Sequence, residues 1–397
     1  MPTLRGRAKA CGSVACCLGM KVSALKRKGP LGSLARLAPL PKLAAMRGRM
    51  RTTVMSNEGQ GNDGSWIQEL DGWRALSILL VLAGHLLPIG PKALQLNGAV
   101  AAAGMGLFFI LSGFLITTFL LHRPEPRPFL IRRGARILPL AWGFMLVVML
   151  VHGNFSLDAA VRHVLFLANL PPFGLTATTA HLWSLCMEVQ FYLAAAILVG
   201  LLGRGGLLLL PLLAVSVTGL RIATGTHISI VTWLRVDEIL AGACLALVYH
   251  AGLLRREGRG FSPLLLAPLA LLYLAAAHPA GGNLNYARPY VAAALVGASL
   301  CMRGTIRELL ASRPLRHVAA ISYALYVWHP LLAESWLGTG EGVEKYLKRP
   351  LLFAALWGLA YVSTTYYEAL WIRLGTRLAR RGAASPDSSA SPRGVGL

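Results

Sequence analysis

Three groups of residues in this 397-residue sequence have types and spacings suited to chemistry. Arg74 and His85 are eleven positions apart, which on an α-helix is ~16 Å along the axis and close to three full turns. Both side chains therefore project from one face, and one groove can hold both. His85 falls in the middle of an apolar stretch, with Arg74 at its start. An ionisable group inside a bilayer costs ~2.5–3.5 kcal/mol on insertion scales, so such a residue is a functional candidate by default. The bland alternative is a histidine that hydrogen-bonds a neighbouring helix. Glu188 sits in the run His181-Leu-Trp-Ser-Leu-Cys-Met-Glu-Val-Gln-Phe-Tyr192, among Trp183, Phe191 and Tyr192. A carboxylate there suits the orienting or charging of a general-base histidine, and equally a structural hydrogen bond between helices. Finally, Arg132, Arg133 and Arg136 precede a third apolar stretch. Arg133 and Arg136, three apart, share a helical face and can grip phosphate oxygens bidentately; cytoplasmic arginines are also expected from membrane topology alone.

Other polar residues inside apolar stretches are weaker candidates for substrate contact or helix packing: Asp71, Ser112, Trp183, Ser184, Asp237, Tyr323, His329 and Glu368. Gly104, Gly106, Ser112 and Gly113 have the small-residue pattern that lets helices approach closely. The cysteines Cys11, Cys16, Cys17, Cys186, Cys244 and Cys301 have neither zinc-ligand nor paired extracellular spacing, so neither a metal site nor a disulfide framework is expected.

The elements that must position these residues are membrane helices. With 55% apolar and only 14% charged residues, the chain carries more apolar surface than a soluble domain of this length buries. The net charge of +23 comes from Arg and Lys in short clusters between apolar stretches, a spacing that fits membrane topology and not nucleic-acid binding. Apolar stretches recur near 73–90, 98–121, 137–152, 182–202, 206–220, 235–253, 261–278, 289–302, 316–337 and 350–372. Each approaches the ~20 residues needed to cross the hydrocarbon core. The expected fold is an all-α membrane protein of about ten transmembrane helices, with both termini cytoplasmic because the arginine-rich loops then fall on one side. Residues 164–175 form a further apolar patch, too short to span, that contains Pro171 and Pro172. Residues 1–54 hold twelve Arg or Lys and no acid, read as unstructured, with translation expected to start near Met55. Residues 55–72 read as a cytoplasmic segment, 73–372 as the membrane domain, and 373–397 as a basic, then disordered, tail.

Six segments, in order, resemble the signatures of the acyltransferase-3 family of integral membrane enzymes. Leu70-Asp-Gly-Trp-Arg74 with His85 is similar to the opening signature, a basic residue followed after ten intervening positions by His. Gly106 to Thr117, Arg133-Gly-Ala-Arg136-Ile-Leu-Pro-Leu, the His181–Tyr192 run, Arg235-Val-Asp-Glu-Ile-Leu-Ala-Gly242 and Ile321-Ser-Tyr-Ala-Leu-Tyr-Val-Trp-His329-Pro resemble the later ones. Together they cover most of residues 69–377. Cys186 and Val189 stand where the family often has Ser and a second Glu, which disfavours a mechanism needing two adjacent carboxylates. Glu238 and Leu370 replace a frequent Gly and Pro.

The resemblance implies a multi-pass enzyme of the bacterial cytoplasmic membrane that transfers an acyl group, by default acetyl, from acyl-CoA to a hydroxyl of a sugar or glycan acceptor. It implies that Arg133 and Arg136, beside Arg132, bind the CoA phosphates, and that His85 acts in transfer with Arg74 and Glu188 in support. No cofactor is expected to stay bound; acyl-CoA is a co-substrate, and the partners are the lipid bilayer, the glycan acceptor and either a second copy or a partner enzyme. Many relatives carry an extra esterase-like domain, which is not expected here. The competing class is a polytopic exporter of a glycolipid or acylated metabolite; that class would more often show inverted repeats, which this sequence lacks.

Overall fold

The computed structural model describes residues 67–153, 156–254, 264 and 266–383, all within one compact unit spanning Arg49–Leu397. The basic residues 1–54, most of segment 55–72, Cys11, Cys16, Cys17, Arg255, Arg256, Arg259 and the tail beyond Ala383 lie outside the described residues.

Among the described residues the regular elements are all helical. In chain order they are α1 (Gln68–Leu86), α2 (Leu96–His122), α3 (Pro126–His152), α4 (Leu157–Val164), α5 (Trp183–Leu202), α6 (Leu210–Ala223), α7 (Asp237–His250), α8 (Leu266–Ala277), α9 (Leu284–Leu300), α10 (Thr305–Leu310), α11 (Arg313–Glu334), α12 (Gly342–Leu347), α13 (Arg349–Val362) and α14 (Ala369–Ala383), with short 3₁₀ and π segments between some of them. Among the described residues three helical runs are long and apolar enough to cross a membrane: Leu96–His122, Pro126–His152 and Ala180–Ala223, the last containing a 3₁₀ segment at Gly203–Leu209. Apolar side chains such as Leu146, Leu150, Ile197, Leu201, Leu212 and Leu271 point outward. Lipid satisfies them where water would not.

Helix limits differ from apolar limits in two places that matter. α1 begins six residues before Arg74 and stops at Leu86, where the chain turns extended at Leu87 before Pro88. A residue preceding proline is pushed out of the helical region. His85 is therefore the penultimate residue of α1, not a mid-helix residue. α3 starts at Pro126, well before its apolar stretch, and the intrinsic φ of proline suits that first position. Arg132, Arg133 and Arg136 are thus helical residues, and the connection from α2 is only Arg123–Glu125. The patch at 164–175 forms no membrane helix: α4 ends at Val164 and the chain folds irregularly against α5, with Gln190 donating to the Phe166 carbonyl and to Asn169 Oδ1.

α1 and α2 pack against each other at the centre, α2 also packs on α7, and α14 runs against α3. Small residues set the closest approaches. A Cβ at Gly113 would lie 1.9 Å from the Ile239 carbonyl oxygen, and one at Gly242 would lie 2.1 Å from that of Ile110, so α2 and α7 meet backbone to backbone at both points. Replacing Gly242 with Ala is expected to force the helices apart and cost about 1–3 kcal/mol or more. The check is the midpoint of thermal unfolding in detergent, which should fall.

Candidate active site

Residues of five helices line one partly open cavity. α1 contributes Arg74, Ser77, Ile78 and Val81, a spacing of three, four and seven that puts one helical stripe on the wall. α3 contributes Arg133 and Arg136 from its basic first half, and α5 contributes Glu188. The walls are otherwise largely apolar, from α2, α5 and α11.

Glu188 is 4% exposed and would be costly without partners. It has them: Ser112 Oγ donates to Oε1 at 2.6 Å, and the Tyr192 hydroxyl, one turn further along α5, donates to the same oxygen. The Arg133 guanidinium lies 5.8 Å from the centre of the Tyr192 ring, and the charges of Arg133 and Arg74 both act on the carboxylate. Arg133, Tyr192, Glu188 and Ser112 thus form one continuous polar seam from the basic end of α3 into the interior.

On the same α1 stripe, one turn beyond Val81, stands His85. Its side chain is exposed at the helix end and does not line the cavity. It instead meets His329 of α11: Nδ1 of His85 is 2.9 Å from Nε2 of His329, and the rings stack with centroids 5.1 Å apart and 15° between planes. His329 is buried and its Nδ1 lies 2.7 Å from the Tyr326 carbonyl oxygen. Between pair and cavity lies the wall formed by Tyr326 and Phe108, whose rings stack at 6.3 Å. Tyr326 is held by its hydroxyl, which donates to the His181 carbonyl and accepts from Ser184 Oγ at 2.6 Å. The His181 ring packs edge-on against those of His329 and Tyr326. The arrangement supplies an anion-binding end, a buried carboxylate and, at the far end of one helix stripe, an imidazole able to take a proton or attack a carbonyl.

Of the sequence candidates, Arg74, Arg133, Arg136, Glu188, Ser112, Ser184 and Tyr323 meet at the cavity, where Tyr323 also donates to the Ile137 carbonyl at 2.7 Å. The others do not line it. Arg132 lies over the Phe119 ring at 5.8 Å, Asp71 sits in the first turn of α1, and Trp183 packs on Phe109. Glu368 is buried beside Thr364, which donates to it at 2.8 Å.

Asp237 belongs to a separate ionic cluster. Arg221 donates to it at 2.5 Å, while Glu238 accepts from Arg288 at 2.5 Å and from Arg235 at 3.2 Å. Arg221, Arg235 and Arg288, which lie at the edges of apolar stretches in the sequence, are all buried in these ion pairs. Removing one member of such a cluster strands a buried charge, so a substitution there is expected to loosen the packing of α6, α7 and α9. Tyr192 and His181 are not among the sequence candidates. Only Tyr192 carries a readable signal, its i,i+4 spacing from Glu188.

A family model described as an acyltransferase domain, of the acyltransferase-3 type, matches residues 67–369. Among curated proteins, the chain is 27% identical over 312 residues to Peptidoglycan O-acetyltransferase OatA of Listeria monocytogenes serovar 1/2a (strain ATCC BAA-679 / EGD-e), covering 66% of this chain and 49% of that protein. It is also 27% identical over 315 residues to YrhL of Bacillus subtilis (strain 168), provisionally named for the same activity, covering 66% and 48%. The chain thus spans about half the length of the curated relatives it matches. No solved structure matches it.

Proposed function

Because the chain belongs to the acyltransferase-3 family, we propose that it is a membrane O-acyltransferase that moves an acyl group, acetyl by default, from acyl-CoA to a hydroxyl of a cell-envelope glycan. The relatives named as peptidoglycan O-acetyltransferases make a peptidoglycan sugar the first acceptor to try. The observation that carries the proposal is the single stripe of α1 that leaves a cavity holding Arg74, Arg133, Arg136 and Glu188 and ends on His85. A polyanionic thioester needs an arginine-rich entrance, and acyl transfer needs a base or nucleophile; Arg74 and His85 stand at opposite ends of one stripe of α1. An exporter requires neither, and no observation favours that reading.

In this proposal the chain crosses the cytoplasmic membrane about ten times with both termini inside, a topology that the arginine distribution in the sequence supports. Arg133 and Arg136 then face the CoA-containing side, and His85 faces the outer side. Two routes use the same groups. In direct transfer, Nε2 of His85 takes the proton of the acceptor hydroxyl as its oxygen bonds to the thioester carbonyl carbon; the C–S bond breaks and the proton passes to the leaving thiolate. In a relay, Nε2 itself attacks that carbon, the C–S bond breaks to release thiolate, and the acceptor oxygen later displaces the imidazole, its proton leaving to solvent. Glu188 and Arg74 hold the polar seam through which the thioester end approaches.

The test is thiol release by the full chain in detergent or bilayers. Free CoA should appear from acetyl-CoA only when a glycan acceptor is present, with acetyl recovered as an ester on the glycan. No transfer to any glycan tried, with acetyl-CoA left intact, would defeat the proposal.

A further inference from the structure

The pairing of His85 with His329 fixes more than position, because a proline decides which nitrogen carries which proton. In an α-helix the residue at 330 would donate its N–H to the Tyr326 carbonyl, four positions back. Pro330 has no N–H to give. It leaves an acceptor unpaired in a buried stretch of α11, where such a group is costly. The His329 side chain fills the vacancy, with Nδ1 2.7 Å from the Tyr326 oxygen.

A carbonyl oxygen only accepts, so His329 Nδ1 bears the proton. A neutral imidazole has one N–H, so His329 Nε2 is a bare acceptor. That nitrogen faces His85 Nδ1 at 2.9 Å, so His85 donates from Nδ1 and keeps its lone pair on Nε2. The anchor is held as well: Tyr326 is pinned through its hydroxyl by Ser184 and the His181 carbonyl, and the buried His181 ring closes the other flank of His329. We infer that His329 is a positioning residue, locked by the carbonyl that Pro330 frees, which holds His85 in the Nδ1–H tautomer with Nε2 directed to the reaction. When Nε2 gains a proton, the bond to His329 becomes charge-assisted and steadies the imidazolium.

This inference rests on the proposal that His85 acts through Nε2, and its test separates the two. The full chain, labelled with 13C and 15N histidine, is placed in bilayers for solid-state NMR, with the His85 signals assigned by their loss in His85→Gln. The nitrogen bonded to Cγ, Nδ1, should be protonated and Nε2 bare. In His329→Leu that preference should be lost, and kcat for acetyl transfer should fall by about 100-fold or more, the lower bound for a displaced general base, with KM for acetyl-CoA within about 3-fold as expected for a purely transition-state loss. His329→Gln, whose amide oxygen can accept from Nδ1–H, should recover about 10-fold of that loss, since a hydrogen bond is worth ~1–1.5 kcal/mol.

Pro330→Ala covers the case in which His329 variants fold poorly. It adds a helix hydrogen bond and removes the vacancy, so it should be no less stable yet show mixed His85 tautomers and a lower kcat. A protonated Nε2 on His85 in the unaltered chain, or an unchanged kcat in both His329→Leu and Pro330→Ala, overturns the inference. An active His85→Ala would instead defeat the role given to His85 and leave the tautomer result standing.

Discussion

His85→Ala is expected to remove acyl transfer while leaving the protein folded and in the membrane. A general base contributes about 10²–10⁴-fold, which sets the smallest loss expected, and in the relay route transfer falls to background. The structural consequence should be slight: the side chain is exposed at the end of α1, where it meets the His329 ring. The loss of its one hydrogen bond to His329 costs about 0.5–1.5 kcal/mol. Equal expression and an unfolding midpoint lowered by no more than that, together with lost product, would isolate the chemistry. The two routes then part on one further observation. A rapidly quenched reaction run without acceptor should yield an acetylated His85 peptide in the relay and none in direct transfer. Full activity of His85→Ala would remove His85 from the mechanism altogether.

The parts of this site that follow helical regularity were legible in the sequence. Arg74, Ser77, Ile78 and Val81 share a face because an α-helix repeats every 3.6 residues, and the same arithmetic points Arg133 and Arg136 together. Close helix packing was legible in Gly113, which faces the α7 backbone. What failed to show was anything set by helix limits or by distant partners. Apolar stretches record where lipid is, not where hydrogen bonding stops, so His85 read as mid-helix although α1 ends one residue later. Its partner, His329, is 244 positions away, and no local pattern pairs them. The buried cluster misled for the same reason: a lone arginine beside an apolar stretch looks like a loop charge until Asp237 or Glu238 is seen to neutralise it. His329 and Pro330 are adjacent in the sequence, yet the consequence of their adjacency appears only once the His329 side chain is placed 2.7 Å from the Tyr326 carbonyl oxygen.

The second large effect is expected at Arg133 and Arg136, and the two should differ in kind. A hydrogen bond to a charged group is worth about 1.5–3 kcal/mol, so losing one phosphate clamp should raise KM for acetyl-CoA by roughly 10- to 100-fold. Arg136→Gln should do this with kcat little changed, because an interaction made equally in ground and transition states affects only KM. Arg133→Gln should raise KM and also lower kcat. Its guanidinium lies against Tyr192, and Tyr192 donates to Glu188, so its loss frees a ring that holds the buried carboxylate. Lysine should serve poorly at either position, since an ammonium can neither bind phosphate bidentately nor stack on the tyrosine as a planar fork does. Steady-state kinetics over a range of salt gives a second check. If the arginines meet phosphates at a solvent-open entrance, KM should rise with ionic strength in the unaltered protein and rise less steeply in the Gln variants. A KM indifferent to both substitutions would move the donor's phosphates elsewhere on the chain, whereas a matched fall in kcat with unchanged KM would make the pair part of the chemistry and not of donor capture.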